Sequence, residues 1–560
     1  MQHPFQCLQI VTAVEGNLLL AAAGSRLHCF SLSDGSLVSS WGPGEGANSP
    51  LGIEEAPDSH TISPDFQTAT ESLVESEHAP PGKRRKLSPA EQSDVHVQER
   101  TVDSSVQDDA TTISKSMLNK SSFILRLCTT QDGRYAVTAT AEDKCIRVFA
   151  IEPHGQLHLL SERSLPKRPC ALDLTAENST IICGDKFGDV YSLPLFAPAD
   201  TDGPVGVGSS SSEIKAYKSS ADPTTVHTKR NHRALKYQLQ RQSNKPGTAN
   251  KRQELNWKPL LGHVSLLTDL ITARLDGSGS DSATKGSFIL TSDRDEHIRV
   301  SRGPPQSHVI EGFCLGHTEF VSRLCIPTWY QSLLVSGGGD GLLIVWHWKS
   351  SRILNRYDLH PLFADFLDKR EPEMGMPAPG SVQNGEQSDS VQRDAQESES
   401  RTKLVVSGIW PMEITGAASS GPAQTGILVA LEGTPALFVF FIDRTGSLRF
   451  HQTLLLRGNV LDVSILADTG SFLASVDNIY CPSSTEKFRE PAEGLEIVLQ
   501  SFKTFPDGVI PRWVETDISD SAPVTAINKL GSHELRDDDF QSLKDNLYSI
   551  EKLRKRGNEE

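Results

Sequence analysis

Two stretches of this chain, SFILTSDRDEHIRVS (Ser287–Ser301) and SLLVSGGGDGLLIVW (Ser332–Trp346), are copies of one pattern. Each is an apolar strand, a tight polar turn carrying an Asp, and a second apolar strand that closes six residues after that Asp. Gly316-His317 lies between the copies, and Gly262-His263 opens the unit before them. Short apolar runs of this length, punctuated by Gly and Asp, are strand patterning with no helical period.

Working outward, the pattern recurs. Towards the N-terminus, Phe123–Thr129, Tyr135–Ala139 and Cys145–Ile151 surround Asp143, and Ala171–Thr175, Thr180–Cys183 and Asp189–Leu193 surround Asp185. The opening of the chain reads the same way, with Phe5–Val14, Asn17–Ala23, Arg26–Leu32 and Ser36–Trp41 separated by turn residues. Asp143 to Phe149, Asp185 to Tyr191, Asp295 to Ser301 and Asp340 to Trp346 are each six apart. Unrelated strands do not repeat a spacing of this kind, and a repeat of short strands signals a β-propeller. Two less regular units follow, over Lys403–Leu456 and Leu461–Phe502, which brings the count to seven. The expected fold is therefore all-β, a seven-bladed propeller, with an N-terminal strand completing the last blade. Without the insertions the chain leaves on the order of 50 residues per blade, slightly long for four short strands.

Three segments break the pattern and read as insertions without a core of their own. Residues 42–116 are rich in Ser, Pro, Glu, Asp and Gln. They contain the basic run Lys83-Arg84-Arg85-Lys86, a candidate nuclear import signal, with Ser88-Pro89 as a candidate phosphorylation switch beside it. Residues 197–255 are basic and flexible by composition, suited to RNA phosphates, to an import receptor, or simply to solvent. Residues 361–402 are acidic and Ser/Gln-rich. Propeller blades are expected over 1–41, 117–196, 256–360 and 403–530. Residues 531–560 hold a helix and tail, because Phe540, Leu543, Leu547, Ile550 and Leu553 recur at three- and four-residue spacing. Acids lead and bases trail along that amphipathic helix, as a helix dipole prefers.

Composition narrows the function classes. The hydrophobic fraction of 37% fits a chain with long unpacked segments, and the net charge of −16 argues against a DNA-coating protein. Nine scattered cysteines without a Cys-x-x-Cys pair read as reduced thiols, not a zinc site or disulfide frame. No apolar run is long enough to span a bilayer as a helix. The glycines of Ser336–Gly341 lead into an apolar strand, whereas a cofactor loop should open into a helix, so they are a blade turn. No Gly-x-Ser-x-Gly, P-loop or metal-ligand cluster is present, and the chain reads as a non-enzyme without a cofactor.

The Gly-His, Asp and Trp spacing resembles the WD-repeat family, in which a His, a strand Ser, the turn Asp and a Trp form one hydrogen-bonded set. Here the complete set would be His317, Ser336, Asp340 and Trp346, and in the preceding copy Ser301 replaces the Trp and Asp295 would be the turn Asp. Over Leu260–Trp348, and most of all in SDRDEHIRVS, the chain resembles the WD-repeat, non-catalytic subunit of the eukaryotic tRNA guanine-N7 methyltransferase. The resemblance implies a stoichiometric complex with a separate S-adenosylmethionine-dependent catalytic subunit and contact with tRNA mainly through that complex; the expected location is the nucleus, from the Lys83–Lys86 run. It places the partner-facing basic residue at Arg299, with Asp293, Arg294, Glu296 and His297 around it. A generic WD-repeat scaffold, such as the substrate receptor of a ubiquitin ligase, is the alternative that the fold alone would support.

Overall fold

Seven four-stranded antiparallel meanders succeed one another along the chain. They are seen in a computed structural model that describes residues 2–13, 16–43, 122–196, 258–275, 286–374, 403–414, 424–466, 470–489, 497–505, 512–516, 521–531 and 537–555. The innermost strands of blades 1 to 7 are Phe5–Ala13, Ile124–Thr129, Pro169–Leu174, Leu267–Leu275, Val321–Cys325, Val406–Ile414 and Val460–Ile465. Each of them packs against the next, and the seventh packs against the first, so the sheets close into a ring around an axial channel. The candidate import residues Lys83, Arg84, Arg85 and Lys86 and the basic loop within 197–255 lie outside the described residues.

The core explains why the blade strands are apolar on both faces. Among the described residues, seven hydrophobic clusters lie one between each pair of neighbouring blades, and an eighth joins Leu543 and Tyr548 of the C-terminal segment to Phe123, Ala141, Ile479 and Tyr480. In the second-to-third strand hairpin of blade 6, Ile427–Leu431 and Ala436–Phe440 are wholly or almost wholly buried along their length. Alternate side chains of these strands face blade 5 (Val429, Phe438, Phe440) and blade 7 (Leu428, Leu437, Val439), because side chains alternate across a pleated strand.

Ring closure differs from the expectation. No N-terminal strand joins the last blade: Phe5–Ala13 is the first strand of its own sheet, and blade 7 completes itself with Arg512–Glu515. That strand, four residues long, is too short to announce itself by periodicity. Closure is instead made by side chains reaching across the seam. Asp462 Oδ2 accepts from the amide of Leu8 at 2.7 Å, and Ser464 Oγ accepts from the amide of Ile10 at 2.8 Å. The inner edge of the first blade is thereby satisfied without a shared strand.

Blade 3 brackets the basic insertion. Its outer strand, Lys258–Gly262, pairs with Asp189–Pro194, so this strand belongs to blade 3 and not to the central pair. The acidic insertion likewise begins with structure. Helix α1 (His360–Met374) places Leu362 and Phe366 in the core between blades 5 and 6, with Phe363 and Leu367 packed at its edge. Those four residues sit at helical spacing, but the acidic, Ser/Gln-rich composition after them masks the signal. Helix α2 (Ala522–Leu530) buries Val524 and Ile527 against blades 1 and 7, within a range expected to hold only strands. Helix α3 (Asp537–Leu547) is followed by a 3-10 turn over Glu551–Leu553, so the expected helix stops about two turns early.

Candidate partner interface

Blade 5 sets the reference geometry. His317 Nδ1 donates to Asp340 Oδ2 at 2.9 Å, and its Nε2 accepts from Ser336 Oγ at 2.7 Å. Trp346 Nε1 donates to the same Ser336 oxygen at 2.8 Å. The four side chains join three segments of one blade, and all are buried. Burial alone would raise the Asp340 carboxyl, but the hydrogen bond and charge of His317 and the amides of Thr318 and Leu342 outweigh it and hold it below the ordinary range. This set is a brace and leaves no reacting group exposed.

Blade 4 uses the brace in an altered frame. His263 bonds Thr291 Oγ1 at 2.7 Å and Asp293 Oδ2 at 3.2 Å, and Asp293 Oδ1 accepts the amides of Asp295 and His297, both at 3.0 Å. The turn Asp is therefore Asp293, not Asp295. The strand registers give the reason: Cys183 pairs with Tyr191, Thr291 with Arg299 and Ser336 with Ile344, so each turn spans the same length. Within that frame Asp185 and Asp293 occupy one position, and Asp340 lies two residues further on. The six-residue spacing in blade 4 is thus Asp293 to Arg299, matching Asp185 to Tyr191 in blade 3. Two carboxylates two residues apart in one turn leave the sequence unable to choose between them.

The same frame places Arg299 where blade 3 has a tyrosine. Tyr191 donates to Asp185 at 3.0 Å, whereas Asp293 is already held by His263. The Arg299 guanidinium turns instead to Ser301 Oγ at 2.9 Å and the carbonyl of Gly262 at 3.1 Å. It lies against Gly262 much as the Trp346 ring lies against Gly316 in blade 5. Serine at 301 makes room for this by removing the indole. Arg299 is half-buried, and burial pulls its pKa down from the ordinary arginine value. Among the described residues no carboxylate pairs with it.

The other expected contact residues divide. Asp293 is buried and structural. Arg294 donates through Nε to the carbonyl of Leu553 at 2.7 Å. Asp295 and Glu296 both pair with Lys555, at 3.1 and 3.2 Å. Three of the turn's charges thus meet the chain's own C-terminal segment. His297 remains exposed, with its ring edge-to-face on Phe313. Arg299 and Phe313 are directly opposite on paired strands. Beside them Val264, Phe313 and Leu315 are exposed, and across the blade 3 turn Phe187 is 59% exposed beneath the Lys167 ammonium. The turn Phe187-Gly188 lies against the carbonyls of His263 and Ser265, so these groups form one surface. Sequence reasoning missed the apolar members. Their signal was present, because Val264 and Leu315 flank Gly-His pairs where solvent-facing polar residues are expected.

Among the described residues there is no cluster of His, Cys, Asp and Glu able to bind a metal. A family model described as the tRNA methyltransferase TRM82 WD40 domain matches residues 19–502. The chain belongs to that family. A TRM82 relative from Coccidioides immitis, named as the tRNA (guanine-N(7)-)-methyltransferase non-catalytic subunit, is 39% identical, covering 99% of this chain and 98% of its own. The trm82 of Aspergillus fumigatus is 35% identical over the same shares, and the TRM82 of Debaryomyces hansenii is 26% identical over 85% of this chain and 86% of its own. The role that goes with TRM82 membership is that of a WD-repeat regulatory subunit and not an enzyme.

Proposed function

We propose that this chain binds the catalytic subunit of a tRNA guanine-N7 methyltransferase as a heterodimer, and that it does so through the face of blade 4 centred on Arg299. The observation that carries the reading is the state of that arginine. It is half-buried, bonded only to a hydroxyl and a carbonyl, and surrounded by exposed apolar side chains. A guanidinium in that setting is completed by a bidentate partner carboxylate, which would also restore its depressed pKa. Phe187, Val264, Phe313 and Leu315 supply the water-excluding apolar rim that gives such a pair its strength.

The catalytic subunit supplies the methyl donor site, and tRNA is engaged mainly through the complex. Nuclear entry would use the Lys83–Lys86 cluster. Arg299→Glu tests the interface, because it sets a carboxylate against the partner's own. Co-purification should fall by the equivalent of about 2–5 kcal/mol, while circular dichroism stays that of the wild type. Unaltered binding of the folded variant would overturn the assignment.

A further inference from the structure

Where the C-terminal segment crosses the mouth of the axial channel, it roofs a cavity of about 390 Å³. The walls come from the innermost strands of six blades, through residues such as Gln6, Arg126, Cys170, Thr268, Arg323 and Leu461, and Asn546 and Lys552 belong to the roof. Its charge is one-sided. Arg126, Arg168, Lys186, Arg294, Arg323 and Lys552 line it, against a single lining carboxylate, Asp545. Asp545 is ion-paired with Lys552.

The other five cations have no ion pair among the described residues. Arg126 donates to the carbonyl of Leu125, Arg168 to the side-chain oxygen of Asn546, and Arg294 to carbonyls of the C-terminal segment. Arg323 donates to the carbonyls of Ser407 and Ser322. Burial, and then the neighbouring charge of Arg126, lower the Arg323 pKa to about 10. Asp269, Asp462 and Glu432 lie near enough to offset part of the lowering at Arg323, but none of them lines the cavity. Asp269 accepts the amide of Leu324, Asp462 that of Leu8, and Glu432 those of Ile550 and Glu551. Six cations lining one cavity against a single lining carboxylate suit an anion there.

We propose that this axial cavity is a binding site for a small oligophosphate. Its volume lies within the roughly 300–1,000 Å³ of small-molecule pockets. Guanidinium groups converging from different blades suit several phosphate groups at once, since each fork can take two oxygens. The site is independent of the methyltransferase reading, because none of the exposed apolar residues around Arg299 lines it.

Calorimetric titration of the full-length chain with tripolyphosphate and, separately, orthophosphate, at constant ionic strength, tests the proposal. Tripolyphosphate should bind saturably at one site and raise the melting temperature, with orthophosphate clearly weaker. Lys186→Gln and Arg126→Gln should each weaken tripolyphosphate about tenfold or more. Lys167→Gln, whose ammonium lies outside the cavity over Phe187, should leave it unchanged. Circular dichroism melts of the free variants confirm that they are folded, and Lys186, which holds up no other side chain, keeps the test open if Arg126→Gln is unstable. The proposal is overturned by absence of saturable binding, by equal affinity for orthophosphate, or by a Lys186→Gln protein that binds as the wild type does.

Discussion

At the scale of the residue, the repeat writes one brace several ways. Blade 5 has His317, Ser336, Asp340 and Trp346. Blade 4 has His263, Thr291 and Asp293, with Arg299 set free. In blade 2, Ser122 stands in for the histidine at 2.7 Å from Asp143, and Arg147 closes the set by bonding Thr140 and Asp143. Blade 7 has no histidine of its own: Tyr548, arriving from beyond α3, donates to the buried Asp477 and lies 3.3 Å from the amide nitrogen of Asn459. A buried carboxylate needs such donors, and losing them costs more than the bonds are worth when made. His317→Ala should therefore destabilise the fold by about 2–4 kcal/mol, because Asp340 and Ser336 lose a shared partner at once. Urea denaturation checks this, and a loss below about 0.5 kcal/mol, typical of a surface change, would refute the brace. Tyr548→Phe deletes one hydroxyl and should cost about 1–3 kcal/mol by stranding Asp477. A melt indistinguishable from wild type would mean that Asp477 finds another donor.

At the scale of the element, the C-terminal segment does what no sequence period announces. Beyond α3 it bonds Asp477 of blade 7, Glu432 after the second strand of blade 6 and Arg294 of the blade 4 turn, and its Arg554 lies 3.5 Å from Glu319 before blade 5. Lys555 then pairs with Asp295 and Glu296. The strands themselves were legible because each carries its own period and its own turn residues, as Leu333–Gly338 and Leu342–His347 do. Resemblance singled out Arg299 as the expected partner-facing residue, whereas the side chains around it were not readable from the sequence. Which acid of SDRDEH meets His263 depends on the strand register, and which meet Lys555 depends on a segment some 260 residues away in sequence. Helix α1 was hidden for another reason: two turns of apolar spacing were diluted by the acidic tract that follows. The tail yields its own prediction. Deleting residues 548–560 should lower the melting temperature and leave Asp477 Oδ2 and the Glu432 carboxylate without their donors, while far-UV circular dichroism remains that of a β-propeller. Loss of the β-sheet spectrum would show the tail to be part of the fold itself.

At the scale of the whole molecule, a ring is only as cooperative as its seam. The seam between blades 7 and 1 holds a hydrophobic cluster, in which Phe5, Leu8 and Leu19 meet Leu473, Val498 and Leu499. It also holds Asp462, whose two oxygens accept from Leu8, Val463 and Trp410. Asp173 plays the matching part between blades 3 and 4, accepting the amide of Thr272 at 2.6 Å. Burial pushes both carboxyls up to about 6, against the lowering effect of the amides that they accept. Both residues are half-buried and not fully enclosed, so the full free energy of that shift is an upper bound of about 3 kcal/mol each. The sign is the reverse of the usual carboxylate. The folded protein holds these protons more tightly than the unfolded chain, so their contribution is fully present below about pH 4 and is lost as pH rises through about 6. Asp462→Asn removes one such titration while keeping the shape of the side chain. The stability of the wild type relative to that variant should therefore grow as the pH falls from 7 to 4, by up to about 3 kcal/mol, in urea titrations at matched ionic strength. A difference that stays constant, or shrinks over that range, would mean that the seam carboxylate is ionised and well paired throughout. The denaturant slope adds a second reading, since a weakened seam that lets blade 1 open first would lower it along with the midpoint.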